Sequence, residues 1–284
     1  MIKQKTSFLV LLCFSLNAYS YEIKRVKIPS DNIDKKLHAT VVVPDSYSKG
    51  DKNYSTVYLL HGWSGNDKNW TDKTQVATLA DDYQLILVMP DGDYDKWYID
   101  SPILAKSNYE KYIGRDVPSY IDKNFRTISS KDGRAITGLS MGGFGALNIV
   151  LNYHDTFGAA GSMSGGLDPR DYPKNWGLEK VFGDPVSNVK FWNEKAIINN
   201  AHQFINLNIP IFIECGVDDF FIEPNRKLHQ RLLDLRIQHT YQEGPGGHTW
   251  DYWGNAVKYQ LLFMKNALER EQEKNRVLSQ SPQR

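Results

Sequence analysis

The sequence predicts an α/β fold in which a mostly parallel sheet carries helices on both faces. Short apolar runs alternate with longer segments of helical periodicity along most of the chain. Strands covered on both faces form continuous apolar runs, which is typical of a parallel sheet between two layers of helices. One insertion interrupts this alternation, and we therefore expect a single large domain over residues 21–270.

The elements follow from the amino-terminus in the order that this pattern gives. The predicted strands are 21–28, expected at an antiparallel edge, then 38–44, 56–60, 85–89, 135–138, 159–163 and 209–215. The predicted helices are 74–82, 109–124, 143–153, 223–236 and 251–269. Segment 167–206 is rich in Pro, Asn and Trp and follows a strand's carboxyl end, where we expect a small cap insertion. The polar tail 271–284 is expected to be frayed.

The first twenty residues resemble a secretory signal peptide. Lys3 and Lys5 precede an apolar core at 8–16, and small residues follow at the positions that a signal peptidase reads. We therefore expect residues 1–20 to be removed and the protein to be secreted or periplasmic. Cys215 is the only cysteine beyond the leader, so the fold is expected to rely on its core rather than on a disulfide.

The charge balance argues against nucleic acid and anionic membranes as partners. The chain has 34 Lys and Arg residues against 33 Asp and Glu residues, without a polybasic tract. We expect a small-molecule or carbohydrate ligand and no membrane contact after signal cleavage. The oligomeric state stays open.

A glycine-flanked serine follows the predicted strand 135–138. The segment Gly138-Leu139-Ser140-Met141-Gly142 lies between this strand and a predicted helix, the setting of a nucleophile elbow. A side chain at either glycine would collide with the neighbouring strand or helix. The turn exposes the Ser140 hydroxyl and places the Met141 N–H at a helix N-terminus, where an oxyanion would form.

A serine nucleophile needs a histidine base and an acid that orients it. In α/β-hydrolases these follow the serine along the chain, the acid first. His248 lies in a Gly-rich loop before the last predicted helix and is the expected base, whereas the other downstream histidines are expected on the surface: His154, His202, His229 and His239. Asp218 and Asp219 both follow strand 209–215 and compete for the role of the acid.

The second oxyanion donor should come from the loop after strand 56–60. The backbone N–H of Trp63 is the candidate there, and His61 is expected to be structural because it precedes Ser140. All seven tryptophans fall in predicted loops or at helix starts, which favours several of them lining the site. Among them, we expect Trp97, Trp176 and Trp250 to contact the substrate.

In combination, these motifs resemble the esterase D/antigen 85 family of α/β-hydrolases. The similarity rests on Leu59-Leu60-His61-Gly62, on Asp91-Gly92 with the Trp97–Pro102 segment, on the Ser140 elbow, on Cys215–Phe220 and on Gly247-His248-Thr249-Trp250. It implies Ser140 as nucleophile, Asp219 as acid, His248 as base, and the Met141 and Trp63 N–H groups as the oxyanion hole. No metal or organic cofactor is implied.

Within that family, the predicted secretion favours a tributyrin-type, feruloyl or acetyl-xylan esterase. The sequence therefore predicts a secreted serine esterase that acts through an acyl-enzyme on short-chain acyl or hydroxycinnamoyl esters, such as those of plant polysaccharide. Two alternatives stay open. The same residues could transfer the acyl group to a sugar or lipid hydroxyl, as mycolyltransferases do, or the fold could serve as a non-catalytic carbohydrate-binding protein.

Overall fold

A computed structural model describes residues 21–280 of the chain. The predicted signal peptide, 1–20, lies outside the described residues, as does 281–284. Within the described part the chain forms one eight-stranded sheet. Its strands are β1 (Glu22–Ile28), β2 (Leu37–Val43), β3 (Thr56–Leu60), β4 (Ile86–Pro90), β5 (Arg134–Gly138), β6 (Ala159–Met163), β7 (Ile211–Gly216) and β8 (Thr240–Gly244).

Ten α-helices accompany the sheet over residues 21–280. They are α1 (Asn69–Lys73), α2 (Val76–Tyr83), α3 (Tyr109–Lys111), α4 (Val117–Asn124), α5 (Met141–Asn152), α6 (Leu178–Phe182), α7 (Val189–Lys195), α8 (Ile197–Asn200), α9 (Ile222–Asp234) and α10 (Trp250–Gln280). A π-helical turn, Tyr112–Asp116, joins α3 to α4. None of the helices in this part of the chain combines the length and apolarity that crossing a membrane requires.

The sheet is mostly parallel, which confirms the predicted α/β class. Its strand order is β1-β2-β4-β3-β5-β6-β7-β8, and only the β1–β2 and β2–β4 pairs are antiparallel. β1 is an edge strand, as the sequence predicts. The carboxyl ends of β3 to β8 therefore share one edge of the sheet, where α/β folds bind their ligands.

Side chains alternate between two apolar layers, one on each face of the sheet. On β3, Tyr58 and Leu60 pack into one layer, whereas Val57 and Leu59 pack into the other. The first layer contains the helices from α3 to α9, and the second contains α1, α2 and α10. Each central strand is thus buried on both faces, which explains the continuous apolar runs in the sequence.

The structure differs from the prediction at β8 and at the carboxyl-terminal tail. β8 is a partly exposed edge strand with the polar sequence TYQEG, so it lacks the apolar run that marks the other strands. The tail is not frayed at its start, because α10 continues through it to Gln280. Polar contacts hold this extension: Gln272 Nε2 donates to the carbonyl of Asp132 at 2.8 Å, and Asn275 Nδ2 donates to its carboxylate at 2.6 Å.

Candidate active site

Ser140 occupies a sharp turn between β5 and α5. Its backbone has φ 56° and ψ −118°, a region that costs a non-glycine residue about 1–3 kcal/mol and is found mainly at functional sites. The turn brings α5 close to the end of β3. A Cβ on Gly142 would lie 2.5 Å from the carbonyl oxygen of Leu60, so only glycine fits there. The predicted elbow geometry is therefore present.

Ser140, His248 and Asp219 form a continuous chain of hydrogen bonds. Ser140 Oγ lies 2.9 Å from His248 Nε2, and His248 Nδ1 lies 2.8 Å and 3.0 Å from the two carboxylate oxygens of Asp219. An ionised carboxylate only accepts hydrogen bonds, so the imidazole carries its proton on Nδ1. Nε2 is then free to accept the proton of the serine hydroxyl.

Asp219, and not its neighbour Asp218, faces the histidine. Asp219 is buried, and its Oδ1 also accepts the N–H of Phe221 at 2.8 Å, which fixes the carboxylate plane. Asp218 is exposed, and its N–H donates to the carbonyl of Gly246 at 3.0 Å. That backbone bond ties the loop of the acid to the loop of His248.

The His248 ring lies against two aromatic side chains. The centroid of Phe220 is 4.2 Å from that of the imidazole, and the ring of Trp253 packs edge-on with its centroid at 4.7 Å. Trp253 is itself held by its indole N–H, which donates to Ser164 Oγ at 3.1 Å. These contacts restrict the rotation of the imidazole. The sequence marks Phe220 only as part of the Cys215–Phe220 motif and does not mark Ser164, because these contacts form only in the folded structure.

The two predicted oxyanion donors, Met141 and Trp63, belong to the start of α5 and to the loop after β3. Met141 is the first residue of α5, and N–H groups in the first turn of a helix have no acceptor within that helix. Trp63 follows β3 and lines the same cleft as Ser140. His61 steadies the loop after β3, because its Nδ1 donates to the Gly62 carbonyl and its Nε2 accepts the Gly92 N–H, both at 2.8 Å.

A cleft of about 300 Å³ opens on Ser140 and His248. Trp97, Trp176 and Trp250, the tryptophans predicted to contact substrate, all line it, although Trp97 is almost entirely buried. Trp63 and Trp253 line it as well, whereas the remaining two tryptophans are core residues: Trp70 and Trp192. A larger groove of about 470 Å³ near the start of β8 contains none of the triad, so chemistry rather than size identifies the site.

Segment 167–206, predicted as an insertion, lies between β6 and β7 and contains α6, α7 and α8. It brings Trp176 to the cleft, where the indole stacks on Phe220 with ring centroids 5.5 Å apart. Trp97 supports this position, because its indole N–H donates to the carbonyl of Trp176 at 3.0 Å. The insertion therefore contributes Trp176 to the lining of the cleft.

Strand β7 carries two buried ionisable side chains, Glu214 and Cys215. Burial raises the pKa of Glu214 to about 7, and a side-chain hydrogen bond from Gln260 opposes that rise. Burial also raises the pKa of the Cys215 thiol well above its usual range, so this cysteine remains protonated and unreactive at neutral pH. Over residues 21–280, no three His, Cys, Asp or Glu side chains are grouped so that they could hold a metal ion.

The chain is similar to known esterases over most of its length. A family model described as putative esterase matches residues 30–264. An acetyl esterase of Caldicellulosiruptor saccharolyticus is 29% identical over 267 residues, which cover 88% of this chain and 96% of that protein.

Two further comparisons show the range of relatives. The diacylglycerol acyltransferase/mycolyltransferase Ag85A of Mycobacterium leprae (strain TN) is 25% identical over 274 residues, which cover 83% of this chain and 80% of that protein. Among solved structures, a ferulic acid esterase superposes with a TM-score of 0.76 at 25% identity, covering 88% of this chain and 100% of the other.

Proposed function

The chain belongs to the putative esterase family, the esterase D/antigen 85 group of α/β-hydrolases, and is a carboxylic ester hydrolase; we propose that it is a serine esterase. The observation that carries this proposal is the hydrogen-bonded chain from Ser140 Oγ through His248 to the buried Asp219 carboxylate. These are the three groups that convert a weak hydroxyl nucleophile into an effective one.

In the first half of the reaction, Ser140 Oγ attacks the ester carbonyl carbon while His248 Nε2 takes the hydroxyl proton. The carbonyl oxygen becomes an oxyanion, which the N–H groups of Met141 and Trp63 stabilise. When the tetrahedral intermediate collapses, the C–O bond to the alcohol breaks and His248 gives the proton to the departing oxygen. Asp219 stabilises the transient imidazolium and keeps its Nδ1 proton in place.

In the second half, water resolves the acyl-enzyme. His248 removes a proton from the water molecule as its oxygen attacks the acyl carbon, and the same oxyanion hole stabilises the second intermediate. Collapse then breaks the bond to Ser140 Oγ, which regains its proton from His248. The products are a carboxylic acid and the free enzyme.

The cleft supports small acyl groups or a single aromatic ring as the substrate. Its volume of about 300 Å³ is at the lower end of the range for ligand pockets, and five tryptophans contribute to its walls. We therefore propose short-chain acyl or hydroxycinnamoyl esters, including those on plant polysaccharide. The similarity to an acetyl esterase and to a ferulic acid esterase supports both acyl types.

The decisive experiment compares the wild-type protein with Ser140→Ala on 4-nitrophenyl acetate, 4-nitrophenyl butyrate and methyl ferulate. Loss of the nucleophile should lower kcat by several orders of magnitude, because without the Ser140 hydroxyl no acyl-enzyme can form. Circular dichroism and thermal melting establish that the variant folds. If the folded variant keeps more than a tenth of the wild-type turnover, the serine mechanism is wrong.

Acyl transfer to a sugar or lipid hydroxyl is the second candidate function, and the similarity to the mycolyltransferase favours it. The acyl-enzyme on Ser140 would be the same, and only the acceptor would differ. Adding glycerol or glucose to the assay separates the two, because transfer yields a new ester whereas hydrolysis yields free acid. The intact triad argues against a non-catalytic carbohydrate-binding protein.

The proposal includes secretion through cleavage of residues 1–20. Lys3, Lys5 and the apolar core at 8–16 support it, as does β1, which begins at Glu22 soon after the proposed cleavage site. Amino-terminal sequencing of the mature protein should give Tyr21 as the first residue. A mature protein that keeps Met1 would contradict secretion by this route without affecting the proposed chemistry.

A further inference from the structure

One face of α1 carries two hydrogen-bond donors into the cleft. Asn69 and Lys73 are four residues apart, which places them on the same helical face, and both line the cleft that contains Ser140. Asn69 Oδ1 accepts the N–H of Asn66 at 3.0 Å, so its side-chain NH₂ group remains as a donor. The Lys73 ammonium adds further donors and a positive charge.

The charge of Lys73 is not neutralised by the surrounding protein. Its Nζ lies 5.0 Å from the ring centroid of Trp250, an uncharged partner. Within residues 21–280, no carboxylate lies within ion-pair distance of Lys73. Asp219 is buried and bonded to His248, so it does not face the cleft. Among the described residues that line the cleft, only Lys73 carries a permanent charge.

We propose that Lys73, together with the Asn69 amide, binds a carboxylate on the substrate, so that the preferred substrates are esters that carry a negative charge. This inference rests on the proposed serine esterase function. A carboxylate offers two acceptor oxygens, one for each donor on the α1 face. Trp250 packs against the apolar part of the same substrate, beside the cation.

The expected selectivity follows from Coulomb's law. Two unit charges 4 Å apart in bulk water interact with about 1 kcal/mol, which corresponds to a preference of about fivefold. This value applies because Lys73 is exposed, so water surrounds its ammonium group. Screening by salt should reduce the preference further.

Two matched substrate pairs test the proposal and locate the charge. On the alcohol side, 4-acetoxybenzoate is compared with 4-acetoxybenzamide; on the acyl side, monomethyl succinate is compared with methyl butyrate. The measured quantity is the ratio of kcat/KM for the anionic member to that for the neutral member. It is determined at low salt and again at about 0.5 M NaCl, where the Debye length is well below its value of about 10 Å at 0.1 M.

Four variants complete the experiment. Lys73→Met should lower the ratio about fivefold in one pair, Lys73→Glu should lower it further, and Lys73→Arg should restore it. Lys68→Met is the matched control, because Lys68 is an exposed residue that precedes α1 and does not line the cleft. Its ratio should equal that of the wild-type protein.

The outcomes separate this inference from the proposed function. Ratios that stay within twofold of the wild-type value in both pairs for Lys73→Met and Lys73→Glu overturn the role of Lys73. Equal effects of Lys68→Met and Lys73→Met overturn it as well, since they would reflect net charge alone. Ser140→Ala must abolish hydrolysis of both members of each pair; if it does not, the serine mechanism fails instead.

Discussion

Replacing Asp219 by Asn tests the orientation of His248, the proposed catalytic base, most directly. The carboxylate is buried and has two fixed partners: Oδ1 accepts the N–H of Phe221 at 2.8 Å, and Oδ2 lies 2.8 Å from His248 Nδ1. The amide side chain has the same shape as the carboxylate, so the fold should persist. Its oxygen must stay with the Phe221 N–H, because an NH₂ group there would face another donor.

The NH₂ group of the introduced amide therefore takes the position that Oδ2 of Asp219 has in the wild-type protein. From there it donates to His248 Nδ1, which moves the imidazole proton to Nε2. Nε2 then faces Ser140 Oγ at 2.9 Å as a donor and no longer accepts the serine proton. The corresponding change in a serine protease lowers kcat by about 10⁴, equivalent to about 5 kcal/mol of transition-state stabilisation.

The assay follows 4-nitrophenyl acetate hydrolysis by purified Asp219→Asn, with Asp218→Asn as the matched control. Asp218 is the adjacent carboxylate, but it is exposed and does not contact His248, so its variant should keep kcat within a few-fold of the wild-type value. Thermal melting verifies both folds. A loss below tenfold in Asp219→Asn, or a larger loss in Asp218→Asn, would refute the assignment of the acid.

Two further predictions concern stability. Burial raises the pKa of Glu214 to about 7 in the folded protein, so the native state binds this proton more tightly than the unfolded state, and stability is lost as the pH rises from about 4.5 to about 7. Glu214→Gln has no ionisable group at this position. Urea unfolding should therefore show a free energy of unfolding that is up to about 3 kcal/mol higher for the variant than for the wild-type protein at pH 8, and no such difference at pH 4. A difference that does not depend on pH would contradict the ionisation of Glu214. Gly142→Ala would bring a methyl group within 2.5 Å of the Leu60 carbonyl, and we expect it to lower the free energy of unfolding by about 1–3 kcal/mol and to reduce kcat as the elbow shifts. Unchanged stability and activity in that variant would show that β3 and α5 can separate without cost.

The strands of the central sheet could be predicted because their signal is local. Runs of apolar residues buried on both faces gave the bounds of β3 and β6 as the structure has them. β8 was missed because it lies at the sheet edge and is half-exposed, so its residues need not be apolar. The end of α10 was missed for a related reason: polar contacts to the loop at Asp132, rather than an apolar stripe, hold the residues beyond 269.

The residues of the candidate site also differ in how far local sequence motifs predict them. The turns around Ser140 and before His248 need glycines because of their local backbone conformation. Such local requirements can be recognised in a sequence. The choice between Asp218 and Asp219 depended on family spacing, because both follow the same strand and only the folded loop decides which one meets the histidine.

Contacts between distant segments explain what the sequence left out. Phe220 lies against His248, Lys73 lies over Trp250, and His61 accepts the N–H of Gly92. In each case the two partners come from segments that follow different strands, and the sheet brings them together at one edge. The residues of the proposed triad can therefore be found from local motifs, whereas the features proposed to select the substrate depend on which segments become neighbours. Selectivity can consequently change through residues such as Lys73 while the triad residues stay fixed.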